Sequence, residues 1–128
     1  MILCSGAFDG IHAGHVRYLQ AARRVGGGPL IVAIAPTEYI RHAKQREPYW
    51  SQEERAESVA ALRMVDDIVE HVAESVADTI RRKRPDYFVK GSDWRSRLPS
   101  DVLSACAEVN ATIVFVDTPG RHVSEARG

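Results

Sequence analysis

The chain has 128 residues, enough for one domain with one core and too few for two substantial ones. Its 45% hydrophobic and 27% charged residues, with a mean hydropathy of -0.24, exclude a disordered tail or a fibrous repeat. Seventeen Lys+Arg against seventeen Asp+Glu exclude a generally basic protein built for nucleic acid or an anionic membrane, yet fourteen of those cations are Arg, whose planar fork takes phosphate oxygens two at a time.

Apolar runs of strand length alternate with segments of helical period. Ile2 to Ala7 is predicted as a first strand. Gly14 to Val25 follows as a helix with Val16, Leu19, Ala22 and Val25 near one face. Gly26-Gly27-Gly28 comes after that helix instead of opening one, so it reads as a C-terminal turn and not as a dinucleotide fingerprint. Leu30 to Ala35 is a second strand, and Pro36 to Trp50 reads as a polar, irregular segment. Ser51 and Glu54 match a capping box, which predicts a helix from about Gln52 to Met64. Val65 to His71 is a short third strand, Ser75 to Arg84 an amphipathic helix stopped by Pro85, and Tyr87 to Val89 a fourth strand. Ser100 to Val109 is helical, and Thr112 to Val116 closes the order with a β-branched strand. The basic run Arg81-Arg82-Lys83-Arg84 reads as a solvated helix end favoured by the dipole.

The order β-α-β-α-β-α-β-α-β predicts an α/β fold: a Rossmann-like, doubly wound, five-stranded parallel sheet in three α/β/α layers, with residues 1–128 as a single domain. The longest apolar stretch, Leu30 to Ala35, is far shorter than the roughly 20 residues of a membrane span, and residues 1–8 lack a charged start and an apolar signal core. A cytoplasmic location is therefore expected. Cys4 and Cys106 form no C-x-x-C pair and have no metal-ligand spacing, so both are expected in the core. His42, His71 and His122 belong to no constellation.

In such a sheet, ligands bind outside the carboxyl ends of the strands. Two segments sit there: Phe8 to His15 after the first strand, and Lys90 to Trp94 after the fourth. Histidines spaced i, i+3 at a helix start, with Gly14 leaving the backbone open, fit a phosphate site reinforced by the helix N-terminus. By themselves they fit two other readings, a cap beside a surface residue or half of a metal site. Arg55 and Arg63, eight apart on one expected helix, flank Val59 on a nearly common face, where snorkelling is the alternative to reaching into a cleft.

Gly6-Ala7-Phe8-Asp9 followed by His12-Ala13-Gly14-His15 resembles the G-x-F-D…H-x-G-H signature of the cytidylyltransferase-like nucleotidyltransferases. Arg55, Arg63 and Val65-Asp66-Asp67-Ile68-Val69 are similar to the family's R…R-x-V-D-x-V stretch, and Lys90-Gly91-Ser92-Asp93-Trp94 to its K/M-G-x-D-W/Y motif. The resemblance spans most of residues 1–117. It implies an enzyme in which a phosphate oxygen of the acceptor attacks the α-phosphate of CTP or ATP and pyrophosphate leaves, with Mg²⁺. It implies that His12, His15, Lys44 and Arg63 are catalytic. Ala7, Phe8, Asp9, Gly14, Lys90, Gly91, Asp93 and Trp94 would line the nucleotide, with packing as the alternative for Phe8 and an ion pair for Lys90. Lys44, Arg46, Arg55 and Arg63 would hold substrate phosphates, Asp93 is the one candidate for placing a cation, and a homodimer is expected.

The interval from Arg46 to Arg55 and the Gly91-x-Asp93-Trp94 ending are more similar to glycerol-3-phosphate cytidylyltransferases. Residues 18–23 and 85–91 lean towards heptose-1-phosphate adenylyltransferases. Transfer of CMP to a small phosphorylated polyol or sugar, such as glycerol 3-phosphate, is the favoured reading, and adenylyl transfer the alternative. Where the family carries an I-S-T-T-like element, this chain has residues 118–126, in which Ser124 and Arg121 alone stand in and Glu125 brings a negative charge. That departure leaves a non-catalytic nucleotide-binding module as the third reading.

Overall fold

The computed structural model describes residues 1–117. Along them run β1 (Ile2–Gly6), α1 (Ala13–Arg23), β2 (Leu30–Ile34), α2 (Thr37–Lys44), α3 (Gln52–Ala60), β3 (Asp67–Glu70), α4 (Ala77–Lys83), β4 (Tyr87–Gly91), a single 3-10 turn at Ser92–Trp94, α5 (Ser100–Glu108) and β5 (Thr112–Val116). The sheet order is β3-β2-β1-β4-β5 and every pairing is parallel. Strand order therefore reverses between β1 and β4, and the carboxyl ends of those two strands mark the switch point.

Alternation along the strands divides the core into two layers. Ile2, Cys4, Val32 and Val89 point to one face and pack with Leu19 of α1 and Val59 of α3. Leu3, Ala33 and Phe88 point to the other and meet Ile80 of α4 and Val102 and Ala105 of α5. Each fully buried Leu, Ile or Val contributes about 1.5–3 kcal/mol relative to exposure, so both faces of the sheet are needed to hold it. Both cysteines are free and buried in these layers. Among the described residues, no helix is long and apolar enough to cross a membrane.

Three departures from the pattern read in the sequence bear on the site. The segment expected to be irregular contains α2, an amphipathic helix with one buried anchor, Ile40. Its signal lies in charge: Glu38 in the first turn and Arg41, His42 and Lys44 in the last complement the helix dipole. The helix after the capping box stops at Ala60, because the amides of Leu62 and Val65 bond three residues back and turn the chain so that the Asp66 amide meets the Leu30 carbonyl and β3 lies against β2. Arg63 is thereby carried onto an exposed turn. β4 runs two residues past Val89, so Lys90 and Gly91 belong to the strand and pair with Phe115 and Val116.

Candidate active site

The turn that leaves β1 is built by Gly6 and Phe8 together. Phe8 takes a left-handed φ of 52°, and its buried ring folds back over Gly6, where a Cβ would stand 2.9 Å from a ring carbon. The same ring lies 5.1 Å from that of His15. Asp9 follows, with its side chain only 3% exposed, and accepts from Arg46 Nη1 at 2.7 Å and from the amides of Tyr49 and Trp50 at 2.9 and 3.0 Å. Burial opposes its ionisation, but these donors prevail and hold the carboxyl below the usual range. Asp9 borders the cleft, yet its oxygens fasten residues 46–50 to the β1 turn. Its role here is to position that segment.

His12 and His15 cap α1 reciprocally. His12 Nδ1 accepts from the Gly14 amide at 3.0 Å, and His15 Nδ1 accepts from the His12 amide at 3.2 Å, an arrangement normally made by Ser or Thr with Glu or Gln. The ring centroids are 3.9 Å apart. An imidazole whose Nδ1 accepts carries its proton on Nε2 when neutral. Burial, with His12 and Lys44 nearby, pushes His15 down to about 4, and burial also lowers His12, so both rings are neutral Nε2–H donors at neutral pH. The cap reading and the anion-site reading are thus the same arrangement seen from two sides.

At the switch point these rings border a cleft of about 450 Å³, together with Ala7, Gly14, Lys44, Arg46, Lys90, Gly91, Asp93 and Trp94 among its lining residues. Lys44 comes from the last turn of α2, and the Arg46 guanidinium lies 4.4 Å over the Tyr49 ring. Lys90 is 8% exposed; its Nζ donates to Ser5 O at 3.1 Å and sits 4.5 Å from the centroid of Trp94. Burial pulls its ammonium down to about 8, opposed by Cys4 and Asp93.

Two expected members are elsewhere. Arg55 is 1% exposed and donates to the carbonyls of Trp50, Ala7 and Ala35 at 3.1, 2.9 and 2.7 Å, so it ties together the chain leaving β1, the chain leaving β2 and the start of α3. It does not line the cleft. The reason is local: α3 packs under the strand ends, and three carbonyls there need a donor. Arg63, on its exposed turn, does not reach the cleft either. Ser124 lies outside the described residues.

A second cavity of about 360 Å³ opens on the other side of the same strand ends, against α4 and α5. Ser5, Gly6, Tyr39, Lys90 and Trp94 border both. Its walls include Val76, Phe88, Leu98 and Val102, with His71, Glu74 and Asp101 as polar members. Sequence reasoning missed Tyr39, which rides on the unforeseen α2, and Gln52, whose Nε2 bridges the Ile34 and His71 carbonyls at 2.9 Å each. It also read Tyr18 only within the first helix and the 18–23 stretch of the resemblance; its buried hydroxyl donates to the Val89 carbonyl at the cleft floor. A polar tip on the apolar face of α1 was the available signal.

An open parallel sheet with a histidine-capped helix and a cluster of cations at its switch point defines a Rossmann-like α/β protein built to receive anions. The chain matches the family model described as cytidylyltransferase-like over residues 3–121, and it belongs to that family. It is 41% identical over 93 residues to the FAD synthase of Pyrococcus horikoshii, covering 72% of this chain and 62% of that protein. It is 38% identical over 95 residues to the bifunctional protein HldE of Syntrophotalea carbinolica, covering 73% of this chain and 19% of that protein. The chain thus spans less than two thirds of the length of either relative. Its fold is shared with the lipopolysaccharide core biosynthesis protein of Thermoplasma volcanium, at a TM-score of 0.73, 22% identity, and 91% and 93% coverage of the two chains.

Proposed function

We propose that this protein is a nucleotidyltransferase that moves an adenylate from ATP to the phosphate of a small acceptor and releases pyrophosphate. The observation that carries this reading is the reciprocal cap of His12 and His15, which sets two neutral donors beside Lys44, Arg46 and Lys90 around one cleft. FAD consists of an adenylate joined through a pyrophosphate link to a flavin phosphate, so likeness to a protein named FAD synthase supports adenine. Cytidylyl transfer to glycerol 3-phosphate, favoured from the Arg46-to-Arg55 interval, has no counterpart among the relatives described above and stands as the second reading.

The acceptor phosphate is already an anion and needs no base. One of its oxygens forms a bond to the α-phosphorus, the bond from that phosphorus to the bridging oxygen of the β-phosphate breaks, and pyrophosphate leaves with the electron pair. His12 and His15 donate to triphosphate oxygens as charge builds on them, Lys44 and Arg46 neutralise the phosphates, and Lys90 stands at the seam where the two substrates meet. Arg55 and Asp9 act through the backbone they hold in place. Asp93, which lines the cleft, would hold Mg²⁺, an ion that takes one or two carboxylates and otherwise phosphate oxygens and water, so this donor set suits an ion arriving with the triphosphate. Bound there, Mg²⁺ would neutralise phosphate charge.

The test supplies the protein with Mg²⁺, each of the four nucleoside triphosphates and a panel of phosphorylated polyols, sugars and FMN. Pyrophosphate is expected with ATP and at least one acceptor. CTP preference would favour the second reading, and tight nucleotide binding without turnover would replace catalysis by a binding module on the same fold.

A further inference from the structure

Lys90 is held at the base of its side chain as well as at its tip. Backbone pairing between β1 and β4 ends at Cys4 and Val89, whereas β1 stays paired with β2 through Gly6 and β4 with β5 through Gly91. The two central strands therefore part just before Lys90, where their carboxyl ends open the switch point. At this last rung stands a side chain from outside the sheet. The buried Tyr18 hydroxyl donates to the Val89 carbonyl and accepts from the Ser5 amide, so it touches both strands where they part. The Val89 carbonyl shares a rigid peptide plane with the Lys90 amide, and whatever holds that oxygen orients the main chain of Lys90. The lysine stem is flexible, and Nζ is fixed separately, by Ser5 O at 3.1 Å and Ser5 Oγ at 3.4 Å. Tyr18 lies three residues after His15 on α1, so one side of that helix carries both half of the histidine cap and the clamp on β4.

We propose that Tyr18 is a positioning residue for the transfer reaction: its hydroxyl fixes the peptide from which Lys90 springs and so sets the Lys90 ammonium relative to the His12–His15 pair at the start of α1. The inference rests on the adenylyl-transfer reading and adds to it a residue that acts through Lys90.

Tyr18→Phe tests it by removing the hydroxyl and keeping the ring that packs in the core. With ATP, Mg²⁺ and an acceptor that turns over, kcat should fall about tenfold while the KM for ATP stays within about threefold, because a small displacement of a charge acts on the transition state first. In a Lys90→Met background the same change should cost less than about twofold, since the group it positions is gone. A second measurement needs no tyrosine variant. The Tyr18 hydroxyl proton should give a slowly exchanging NMR resonance, and Lys90→Met should speed that exchange severalfold, because coupling between two groups is reciprocal. A kcat unchanged by Tyr18→Phe, with or without a lower melting temperature, overturns the positioning role while adenylyl transfer stands. So does a loss that persists in full without Lys90, or a hydroxyl whose exchange ignores Lys90. Absence of pyrophosphate from the unmodified protein with every triphosphate and acceptor overturns the adenylyl-transfer reading, and the positioning role with it.

Discussion

The two cavities at the switch point share Lys90 and Trp94 but were written into the chain in different ways. The cleft over α1 comes mostly from two contiguous segments, residues 6–15 and 90–94, and gathers His12, His15, Lys44, Arg46 and Lys90 with the carboxylates Asp9 and Asp93. The cavity over α4 and α5 draws on residues scattered from Ser5 to Val102, with Lys90 the one Lys or Arg among its described lining residues. The cleft is thus set by a local motif on one helix cap, whereas the second cavity is what the packed layers leave open.

The sharpest way to break this contrast is to remove a donor from the cleft. His15→Ala deletes an Nε2–H donor of the cleft and the acceptor that caps the His12 amide; kcat for pyrophosphate release should fall by about a hundredfold or more. A fall of less than threefold would place the chemistry elsewhere. Arg55 belongs to neither cavity and tests the scaffold between them: Arg55→Met leaves three carbonyls without their donor, and urea unfolding should show a loss of about 3 kcal/mol. Unchanged stability with lost acceptor affinity would instead put Arg55 on the substrate.

A smaller effect concerns protons. Lys90 is charged below about 8, so kcat/KM should decline as pH rises through that value, and Lys90→Arg should move the decline beyond the measurable range. Stability follows linkage: His15 titrates near 4 when folded and near 6.5 when unfolded, so the unfolded chain binds more protons between those values. The His15 contribution is complete above about 6.5 and is lost as pH falls towards 4, and His15→Asn should flatten that part of the stability profile. Gly6→Ala is the mildest variant. It forces the Phe8 ring to shift and should destabilise by about 1–2 kcal/mol with a matching rise in nucleotide KM, measured by thermal melts and initial rates.

The sheet was legible because alternation and run length are local: Thr112 to Val116 was read without error, and the Ser51-Glu54 capping box starts α3 where expected. The strand order is not local and came only with the structure. Helix α2 escaped because one buried residue, Ile40, makes no periodicity. At the site, the His12/His15 spacing was legible by itself, Lys44, Arg46, Lys90 and Asp93 through the family resemblance, and all six border the cleft. Arg55 was misread because a charge flanking an apolar face looks the same in sequence whether it reaches a ligand or a ring of carbonyls. Arg63 was misread because the end of α3 is fixed by tertiary pairing of β3 and carries no stop signal of its own.

The central claim is group transfer at the α-phosphate, and the fate of that phosphorus tests it most directly. ATP labelled at the α-phosphate should pass its label into a product that also contains the acceptor, in one-to-one proportion with pyrophosphate, and His15→Ala should stop both. Label recovered as free AMP in the presence of acceptor, or retained in ATP that is tightly bound but never consumed, would contradict the account.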